Sequence, residues 1–289
     1  MPRVHSKFPP WIKKRIPASP RAEFTRSVLE RYHLNTVCRS AHCPNIGECF
    51  ARGTATFMIM GSVCTRSCRF CAVGEGAPSP LDVSEPGRIA AAVKEMNLRH
   101  VVVTSVTRDD LEDGGAAHFA AVISALKESN PQVAVEVLVP DFKGRERSVR
   151  TVVEAGPDVF NHNVETVPLL YPEVRPEADY HVSLEVLALA KRLAPGMLTK
   201  SGLMVGLGEN RDEVEAVMAD LRRAGCDILT IGQYLSPSRE HLPVVEFIEP
   251  AQFDRYREFG VRIGFSAVAS GPFVRSSYNA LEVKEQAES

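Results

Sequence analysis

The chain has 289 residues, of which 44% are hydrophobic and 24% charged, and its formal net charge at pH 7 is -2. This length and composition allow an ordinary hydrophobic core in one large domain, or in two, without covalent cross-links. The near-neutral charge argues against a nucleic-acid-binding protein, and no stretch approaches the eighteen consecutive apolar residues of a membrane span.

The first 20 residues are basic but contain no apolar run of the length that a signal peptide needs. Their five prolines also disfavour the amphipathic helix of a transit peptide. We therefore expect a cytoplasmic protein with reduced thiols. In such a compartment, closely spaced cysteines bind metals more often than they form disulfides.

The first chemical motif along the chain is a cysteine triplet with the spacing C-x4-C-x5-C, formed by Cys38, Cys43 and Cys49. Iron–sulfur and structural zinc sites ordinarily have four protein ligands. Because no fourth cysteine lies nearby, this triplet is one ligand short. The isolated Cys226 is predicted instead to be a small, buried apolar residue at a helix-to-strand junction.

A second triplet, Cys64, Cys68 and Cys71, has the spacing C-x3-C-x2-C and directly follows a predicted strand, 56–63. Three thiolates on one short loop suit a [4Fe–4S] cubane with one iron left open. An open metal position allows a substrate or cofactor to bind. The alternatives at this point are a zinc loop and reduced surface thiols.

The rest of the chain alternates short β-branched runs with longer amphipathic ones, which predicts repeated βα units around a parallel sheet. The predicted strands are 56–63, 100–106, 133–139, 159–165, 201–207 and 228–235. The predicted helices are 86–97, 115–129, 145–155, 182–193, 211–224 and 250–259.

Six units are fewer than a closed eight-fold barrel needs, so we predict an α/β fold with a partial (βα)6 barrel of the TIM type. Its N- and C-terminal extensions are expected to cover the barrel mouth. The predicted division is an N-terminal extension with the first triplet at 1–55, the barrel at 56–260, and a C-terminal extension with a frayed tail at 261–289.

Polar or Gly-rich segments end several predicted strands, including "TRDDLEDGG", "NHNVET" and "GLGEN". In a parallel barrel, the carboxyl ends of the strands and the loops that follow them form the active-site face. The second cysteine triplet follows a strand in the same way, so we expect it on that face.

The segment "CTRSCRFC", with Phe70 between its last two cysteines, resembles the signature of the radical S-adenosylmethionine (SAM) enzymes. In that superfamily three cysteines hold a [4Fe–4S] cluster whose open iron is chelated by the amino and carboxylate groups of SAM. The resemblance implies that Cys64, Cys68 and Cys71 hold this cluster. Reductive cleavage of SAM would then supply a radical that abstracts hydrogen, which no side-chain acid or base can do.

The combination of both triplets with "TSVTRDDLEDGGAAHF", "VFNHNVETV", "KSGLMVGLGE" and "GPFVRSSYNA" closely resembles the lipoyl synthase family over nearly the whole chain. In that family the first triplet and a serine of the R-S-S-Y motif hold an auxiliary [4Fe–4S] cluster. By this match the serine is Ser277. A serine oxygen is a poorer partner for iron than a thiolate, which suits a cluster that is dismantled. The alternative for Ser276 and Ser277 is hydrogen bonding within a turn.

The same resemblance implies the reaction and the partners. Two sulfur atoms from the auxiliary cluster are inserted at C6 and C8 of an octanoyl chain on a lysine, and each insertion consumes one SAM. The implied substrate is an octanoylated lipoyl carrier domain of a 2-oxoacid dehydrogenase complex or the glycine-cleavage carrier protein. An electron donor and a protein that rebuilds the cluster are implied as well.

For SAM itself, the resemblance implies ribose contacts from Asn163 and Glu165, since an amide and a carboxylate suit two hydroxyls. Gly206, together with Gly202 and Gly208, would let the backbone approach the adenine. Phe70, on the loop with the second cysteine triplet, is a further predicted SAM contact. The SAM amino group is predicted to contact Ser105, Asp109 and Asp110. The alternative for the two aspartates is that they cap a helix or turn.

The sequence departs from the family pattern at Thr107, where aspartate is frequent, and at Phe50, where tryptophan is frequent. His162 is either a scaffold or a catalytic residue, and His241 has no assigned role. Two competing functions are a biotin synthase, which shares the C-x3-C-x2-C loop, and a non-catalytic iron–sulfur carrier.

Overall fold

The computed structural model describes residues 8–13 and 19–289. Residues 1–7 and 14–18 lie outside the described residues. The prediction that the first 20 residues form no leader, and the predicted extension 1–55, fall partly on them. The three-part division of the chain stays a prediction.

Eleven α-helices and ten strands form within the described residues. The helices are α1 Pro20–Arg31, α2 Val37–Ser40, α3 Ile46–Ala51, α4 Glu85–Met96, α5 Ala116–Ser129, α6 Glu146–Glu154, α7 Tyr171–Val174, α8 Tyr180–Leu193, α9 Arg211–Arg223, α10 Pro250–Arg262 and α11 Ala280–Glu288. The strands are β1 Asn35–Thr36, β2 Thr56–Ile59, β3 Val63–Cys64, β4 Gly74–Glu75, β5 His100–Ser105, β6 Ala134–Leu138, β7 Val159–Asn161, β8 Leu198–Val205, β9 Ile228–Gln233 and β10 Ala267–Gly271.

Eight strands form one sheet in the order β1-β2-β5-β6-β7-β8-β9-β10. Strand β1 is antiparallel to β2, and every other neighbouring pair is parallel. Among the described residues, β1 and β10 are not paired with each other, so the sheet stays open. The predicted partial barrel is confirmed.

All six predicted strands are present, and the sheet has one parallel strand more than predicted. Strand β10 pairs with β9 from Ala267 opposite Ile228 to Gly271 opposite Gly232. Its sequence, AVASG, contains one β-branched residue among small ones, so its strand propensity is weak. It forms because Ala267 and Val268 are buried against the helix that precedes it.

Local signals explain where several helices begin. Helix α9 starts at a capping box in which Asn210 accepts from Glu213 N while the Glu213 side chain accepts from Asn210 N. Asp179 caps α8 by accepting from the N–H groups of His181 and Val182. These caps satisfy donors that have no partner inside the helix.

The barrel interior contains a buried charged cluster, which we call the Glu136 cluster. Lys200 Nζ lies 2.8 and 3.1 Å from the two carboxylate oxygens of Glu136, and His100 Nε2 lies 3.4 Å away. Asn161 Nδ2 donates to the same carboxylate. Burial alone would raise the pKa of Glu136, but Lys200 and His100 hold it down to about 2.

The segment after β10 lies across the carboxyl ends of the strands. Gly232, near the end of β9, has no room for a Cβ because the Val274 carbonyl occupies that place. Ser276 reaches Asn163, which follows β7. No helix among the described residues is long and apolar enough to cross a bilayer.

Candidate active site

The loop with the second cysteine triplet is closed at its base by two short strands. Strand β3, which ends at Cys64, pairs in parallel with β4, and Gly76 N donates to Cys64 O at 3.0 Å. Cys71 N donates to Cys68 O at 3.0 Å, which makes a turn between the two thiols. The loop therefore presents all three cysteines from one compact turn.

The sulfur of Cys64 already accepts two backbone N–H groups. Thr107 N lies 3.3 Å and Arg66 N lies 3.5 Å from Cys64 Sγ. Backbone N–H groups that point at a sulfur stabilise the partial negative charge that it carries as an iron ligand. Thr107 contributes its backbone here, so the departure from the family pattern at this position leaves the contact intact.

The three thiols of this loop also lie close enough to repel one another as thiolates. Burial, more than this repulsion, raises the pKa of Cys71 to about 12 and raises that of Cys68 as well. Bound iron reverses this, since a coordinating thiol is deprotonated. Three half-buried, free thiols on one loop fit a cluster with one open iron.

No three His, Cys, Asp or Glu side chains in the described ranges converge closely enough to hold a single metal ion. A four-iron cluster makes a different demand, because its cysteines are spread around several irons. The three cysteines on this loop suit such a four-iron cluster.

Arg66 anchors the loop with Cys64, Cys68 and Cys71, which we call the cluster loop, to the sheet. Its guanidinium binds Asp141 through two hydrogen bonds of 2.6 and 2.8 Å and Asp109 through two of 2.7 and 3.1 Å. Burial would raise the pKa of Asp141, but Arg66 lowers it to about 2. Asp110 pairs with Arg108 at 2.7 Å. Both predicted aspartates thus hold arginines, and their contact with SAM stays a prediction.

Beyond the end of β7, the structure brings Asn163 and Glu165 together. Asn163 Nδ2 donates to Glu165 Oε1 at 3.0 Å, and Glu165 adopts a positive φ of 66°. Its backbone N donates to Gly202 O at 3.0 Å, which ties this turn to β8. Burial raises the pKa of Glu165. An amide and a carboxylate side by side can bind two neighbouring hydroxyls.

Arg175 is a site residue that the sequence reasoning missed. Its Nη1 donates to the carbonyls of Asn163 and Val164 at 3.1 Å each and lies 3.2 Å from the Tyr171 hydroxyl. It is buried beside Cys68, whose pKa would be higher still without this cation. Its Nε has no partner in the part of the chain that the structure describes. It lies in "YPEVRPEA", which carries no motif that could have identified it.

His241 is a second such residue. Its Nε2 lies 3.0 Å from the carbonyl of Cys71, and its Nδ1 lies 2.8 Å from Ser238 Oγ. The next residue, Leu242, donates its N–H to Arg69 O at 3.2 Å. The segment after β9 therefore holds the far side of the cluster loop.

The remaining predicted residues on this face lie as follows. Phe70 packs on a small apolar cluster that includes Leu207 and Tyr234. The hydroxyl of Ser105, at the end of β5, is buried without a hydrogen-bond partner among the described residues. Gly206 has a φ of 101°, and a Cβ there would clash with Gln233 and the Glu246 carbonyl.

His162 is neutral at physiological pH. Its ring is buried, and this burial, helped by the positive charge of Arg175, lowers its pKa to about 4. Nδ1 lies 2.8 Å from the carbonyl of Val139, whereas Nε2 has no partner within the described ranges. Cys226 is fully buried between α9 and β9, which confirms its predicted role.

The first cysteine triplet lies on two short helices that the antiparallel strand β1 fixes against β2. Cys38 is in α2, Cys49 is in α3, and Cys43 N donates to Cys38 O at 3.1 Å between them. Burial raises the pKa of Cys38 and, with repulsion from the other two thiolates, raises that of Cys49 to about 12. The three thiols are therefore neighbours.

Ser277 reaches this first triplet. Thr56 Oγ1 donates to Ser277 Oγ at 2.7 Å, and the same threonine contacts the thiol of Cys38. A hydroxyl thus lies beside the triplet that lacks a fourth ligand. Together, three thiols and one hydroxyl fit the donor set of a second cluster.

Several contacts clasp the N- and C-terminal parts of the chain around this point. We call them the terminal clasp: Asn45 Nδ2 to Phe273 O at 2.6 Å, Tyr278 OH to Glu48 Oε1 at 2.9 Å, Arg52 Nη1 to Asn279 Oδ1 at 3.0 Å, and Thr56 to Ser277. Arg275 is half-buried next to Cys43. The clasp places the R-S-S-Y motif beside the first cysteine triplet.

Comparison with known proteins adds the following. The sequence model of the Radical SAM superfamily matches residues 58–232. A lipoyl synthase of Caldanaerobacter subterraneus subsp. tengcongensis is 62% identical over 272 residues, which cover 94% of this chain and 95% of that relative. A lipoyl synthase of Caldicellulosiruptor saccharolyticus is 57% identical over 279 residues, or 96% of this chain and 98% of the relative.

Two solved structures share the fold. Methylornithine synthase (PylB) superposes with a TM-score of 0.55 at 13% identity, covering 92% of this chain and 80% of that one. HydG, a maturase of the [FeFe]-hydrogenase, gives 0.55 at 14% identity, covering 93% and 75%. At such low identity these likenesses concern the fold alone.

Proposed function

Because the chain belongs to the lipoyl synthase family within the radical SAM superfamily, we propose that it inserts two sulfur atoms, at C6 and C8, into an octanoyl chain carried on a lysine. The chain is a radical SAM sulfurtransferase, and its cofactors are SAM and [4Fe–4S] clusters. Neither biotin synthesis nor passive cluster carriage accounts for a first triplet that meets a serine.

We propose that each cysteine triplet binds a different cluster. Cys64, Cys68 and Cys71 would hold the SAM-binding cluster. An auxiliary cluster would be held by Cys38, Cys43, Cys49 and Ser277. When bound, the SAM-binding cluster supplies the electron that cleaves SAM, and the auxiliary cluster supplies the inserted sulfur.

The protein's own residues would then bind and orient SAM. Asn163 and Glu165 lie side by side and offer one amide and one carboxylate to the ribose hydroxyls. The buried guanidinium of Arg175 lies beside Cys68 with Nε unused among the described residues, and it suits the SAM carboxylate. Ser105 and Gly206 complete the proposed SAM contacts.

His162, next to Asn163, is buried and would help to exclude water from this face. The ring of His162 presents an unpartnered Nε2 within the described structure and carries no charge at neutral pH. Excluding water from this face would protect a reactive intermediate from side reactions.

The observation that carries the auxiliary-cluster proposal is the meeting of Ser277 with Cys38 through Thr56. Thr56 and Ser277 are 221 positions apart in the sequence. Their hydroxyls lie at hydrogen-bonding distance next to a triplet that is one ligand short. Turn hydrogen bonding would not require this long-range contact.

The test is a pair of triple variants, each reconstituted anaerobically and assayed with an octanoyl-lysine peptide. Wild-type enzyme should contain about eight irons and eight sulfides per chain, since each triplet should hold four of each. Alanine at Cys64, Cys68 and Cys71 should leave about half of the iron and abolish formation of 5′-deoxyadenosine. Retained 5′-deoxyadenosine in that variant would contradict the assignment of the SAM site.

Alanine at Cys38, Cys43 and Cys49 is the matched comparison. It should also leave about half of the iron, because the other triplet is untouched. SAM cleavage should persist, whereas no lipoyl product should form. Lipoyl product from this variant would exclude the first triplet as the sulfur source.

The substrate is a lipoyl carrier protein. We propose the octanoylated domains of 2-oxoacid dehydrogenase complexes or the glycine-cleavage carrier protein, together with an electron donor and a protein that rebuilds the auxiliary cluster. A cytoplasmic location belongs to the same proposal, because the six cysteines proposed as ligands are free thiols and iron ligation requires them reduced.

A further inference from the structure

Ser276 precedes the proposed cluster ligand Ser277, yet its side chain contacts the other site. Its hydroxyl donates a hydrogen bond of 2.7 Å to Oδ1 of Asn163. Asn163 Nδ2 donates in turn to Glu165 Oε1 at 3.0 Å. The amide of Asn163 is thus held at its oxygen by Ser276 and at its nitrogen by Glu165.

We propose that Ser276 is a positioning residue for SAM: it orients the amide of Asn163 and thereby links SAM affinity to the segment that carries Ser277. The inference deepens the proposed function and rests on it. It concerns a residue with no cluster-binding role of its own.

The hydrogen-bonding capacity of the amide supports this role. A primary amide offers two N–H donors and an oxygen that can accept twice. Ser276 uses one acceptor position and Glu165 uses one donor, so one donor and one acceptor remain for a pair of ribose hydroxyls. Without Ser276, the oxygen of this buried amide would lack a donor and the amide would lose one of its two restraints.

Gly202 provides the space for the contact. A Cβ at this position of β8 would lie 3.0 Å from both Asn163 Oδ1 and Ser276 Oγ, which is tighter than ordinary packing. The Gly202 carbonyl also accepts from Glu165 N. The turn after β7, the middle of β8 and the C-terminal segment therefore meet at the Asn163 side chain.

This arrangement connects the two cluster sites through adjacent residues. Ser277 faces Thr56 and the first triplet, while Ser276 faces Asn163. A shift of the backbone when Ser277 binds or releases iron would move Ser276 as well. The affinity for SAM would then report whether the auxiliary ligand is in place.

The experiment measures SAM binding to reconstituted enzyme by equilibrium dialysis, with iron content measured on the same samples. Ser276→Ala should weaken SAM binding about fivefold, the effect of losing one buried hydrogen bond, with iron content unchanged. Ser276→Thr keeps the hydroxyl and should restore most of the affinity. Ser270→Ala is the matched control, because the Ser270 hydroxyl is buried on β10 without a hydrogen-bond partner among the described residues. The SAM affinity of this variant should equal that of wild type.

A second comparison tests whether Ser276 acts through Asn163. In an Asn163→Ala background, Ser276→Ala should cause no further loss of SAM affinity. An undiminished further loss would overturn the inference, as would wild-type affinity in Ser276→Ala or a loss of iron in that variant. These results would leave the proposed function standing. A wild-type enzyme that bound no SAM would overturn both.

Discussion

Ser277 offers an oxygen where each of the other proposed cluster ligands offers a sulfur. Its hydroxyl is shared with Thr56 at 2.7 Å, so the serine is held in place before any metal arrives. A serine oxygen binds the irons of a sulfide cluster less tightly than a thiolate does. The side chain is therefore well positioned to bind and well suited to release.

Ser277→Cys should separate binding from release. The thiolate should hold the auxiliary cluster more firmly, so we expect iron content at or above that of wild type and loss of lipoyl product by at least about tenfold. Iron and sulfide analysis, with product quantified by mass spectrometry, measures both. Ser277→Ala is the control and should lose auxiliary iron; product at the wild-type level from either variant would contradict the ligand assignment.

His162 gives a pH-dependent prediction. Its pKa is about 4 in the folded protein, against about 6.5 in an unfolded chain. The unfolded state therefore binds a proton below about pH 6.5, whereas the folded state binds it only near pH 4. The free energy of unfolding should fall as pH decreases from about 6.5 to about 4, by on the order of 3 kcal/mol.

Chemical denaturation at pH 7 and pH 5 measures this effect. His162→Gln removes the titrating ring and should flatten the dependence between those two values. If this variant kept the pH dependence of wild type, groups other than His162 would determine how the free energy of unfolding changes with pH.

The residues that sequence alone could identify are those with diagnostic spacing or a family motif. The two triplets and Ser277 belong to this group. Arg175 and His241 could not be found, because each stands alone in its segment and acquires its partner, near Cys68 or at Cys71 O, only when distant elements pack. Spacing is local information, whereas their positions are set by tertiary structure.

Among the elements, the cluster loop after β2 depends on supports from distant parts of the chain. Strands β3 and β4 close its base, Arg66 ties it to the loops that follow β5 and β6, and His241 binds its last cysteine. These contacts fix three thiols without any disulfide. The loop is therefore ordered by hydrogen bonds and one buried arginine.

His241→Ala should loosen this loop selectively. Loss of its hydrogen bond to Cys71 O should speed the removal of SAM-cluster iron by a chelator about fivefold, the effect of one hydrogen bond, and leave the auxiliary iron unchanged. Iron release can be followed optically in single-triplet variants. His181→Ala, an exposed histidine on α8, is the control. Equal release rates in the two variants would refute a supporting role for His241.

At the same scale, hydrophobic periodicity predicted six strands and the helices between them because buried parallel strands have long β-branched runs. Strand β10 escaped prediction because its small residues carry little of that signal. The antiparallel strand β1 has two residues, which is too short for any periodicity. Both form because neighbouring strands offer unpaired backbone edges.

Across the whole molecule, the interior of the open barrel combines an apolar shell with the Glu136 cluster. Glu136, Lys200 and Asn161 come from three different strands, and each is nearly or fully buried. Removing one member of a buried ion pair leaves an uncompensated charge, which costs far more than the pair contributes. The cluster therefore fixes how β6, β7 and β8 meet.

Lys200→Met should destabilise the protein by about 3 kcal/mol, since the buried carboxyl group of Glu136 would lose the cation that compensates its charge. The double variant Glu136→Gln with Lys200→Met should recover a large part of that loss, because no charge is left buried. Denaturant unfolding of both variants under identical conditions tests this. A single variant as stable as wild type, or a double variant worse than the single, would contradict it.

The terminal clasp has a consequence for the order in which the enzyme is assembled. The base and the turn of the loop with Cys64, Cys68 and Cys71 are local in sequence, since β3 pairs with β4 and Cys71 N donates to Cys68 O, and the distant supports of Arg66 and His241 are added to them. The Thr56–Ser277 hydrogen bond instead closes a loop of more than two hundred residues, whose entropic cost is met only once the intervening barrel has folded. During folding, the loop proposed to hold the SAM-binding cluster can therefore form its base early, whereas the proposed auxiliary-cluster site is complete only after the barrel has folded.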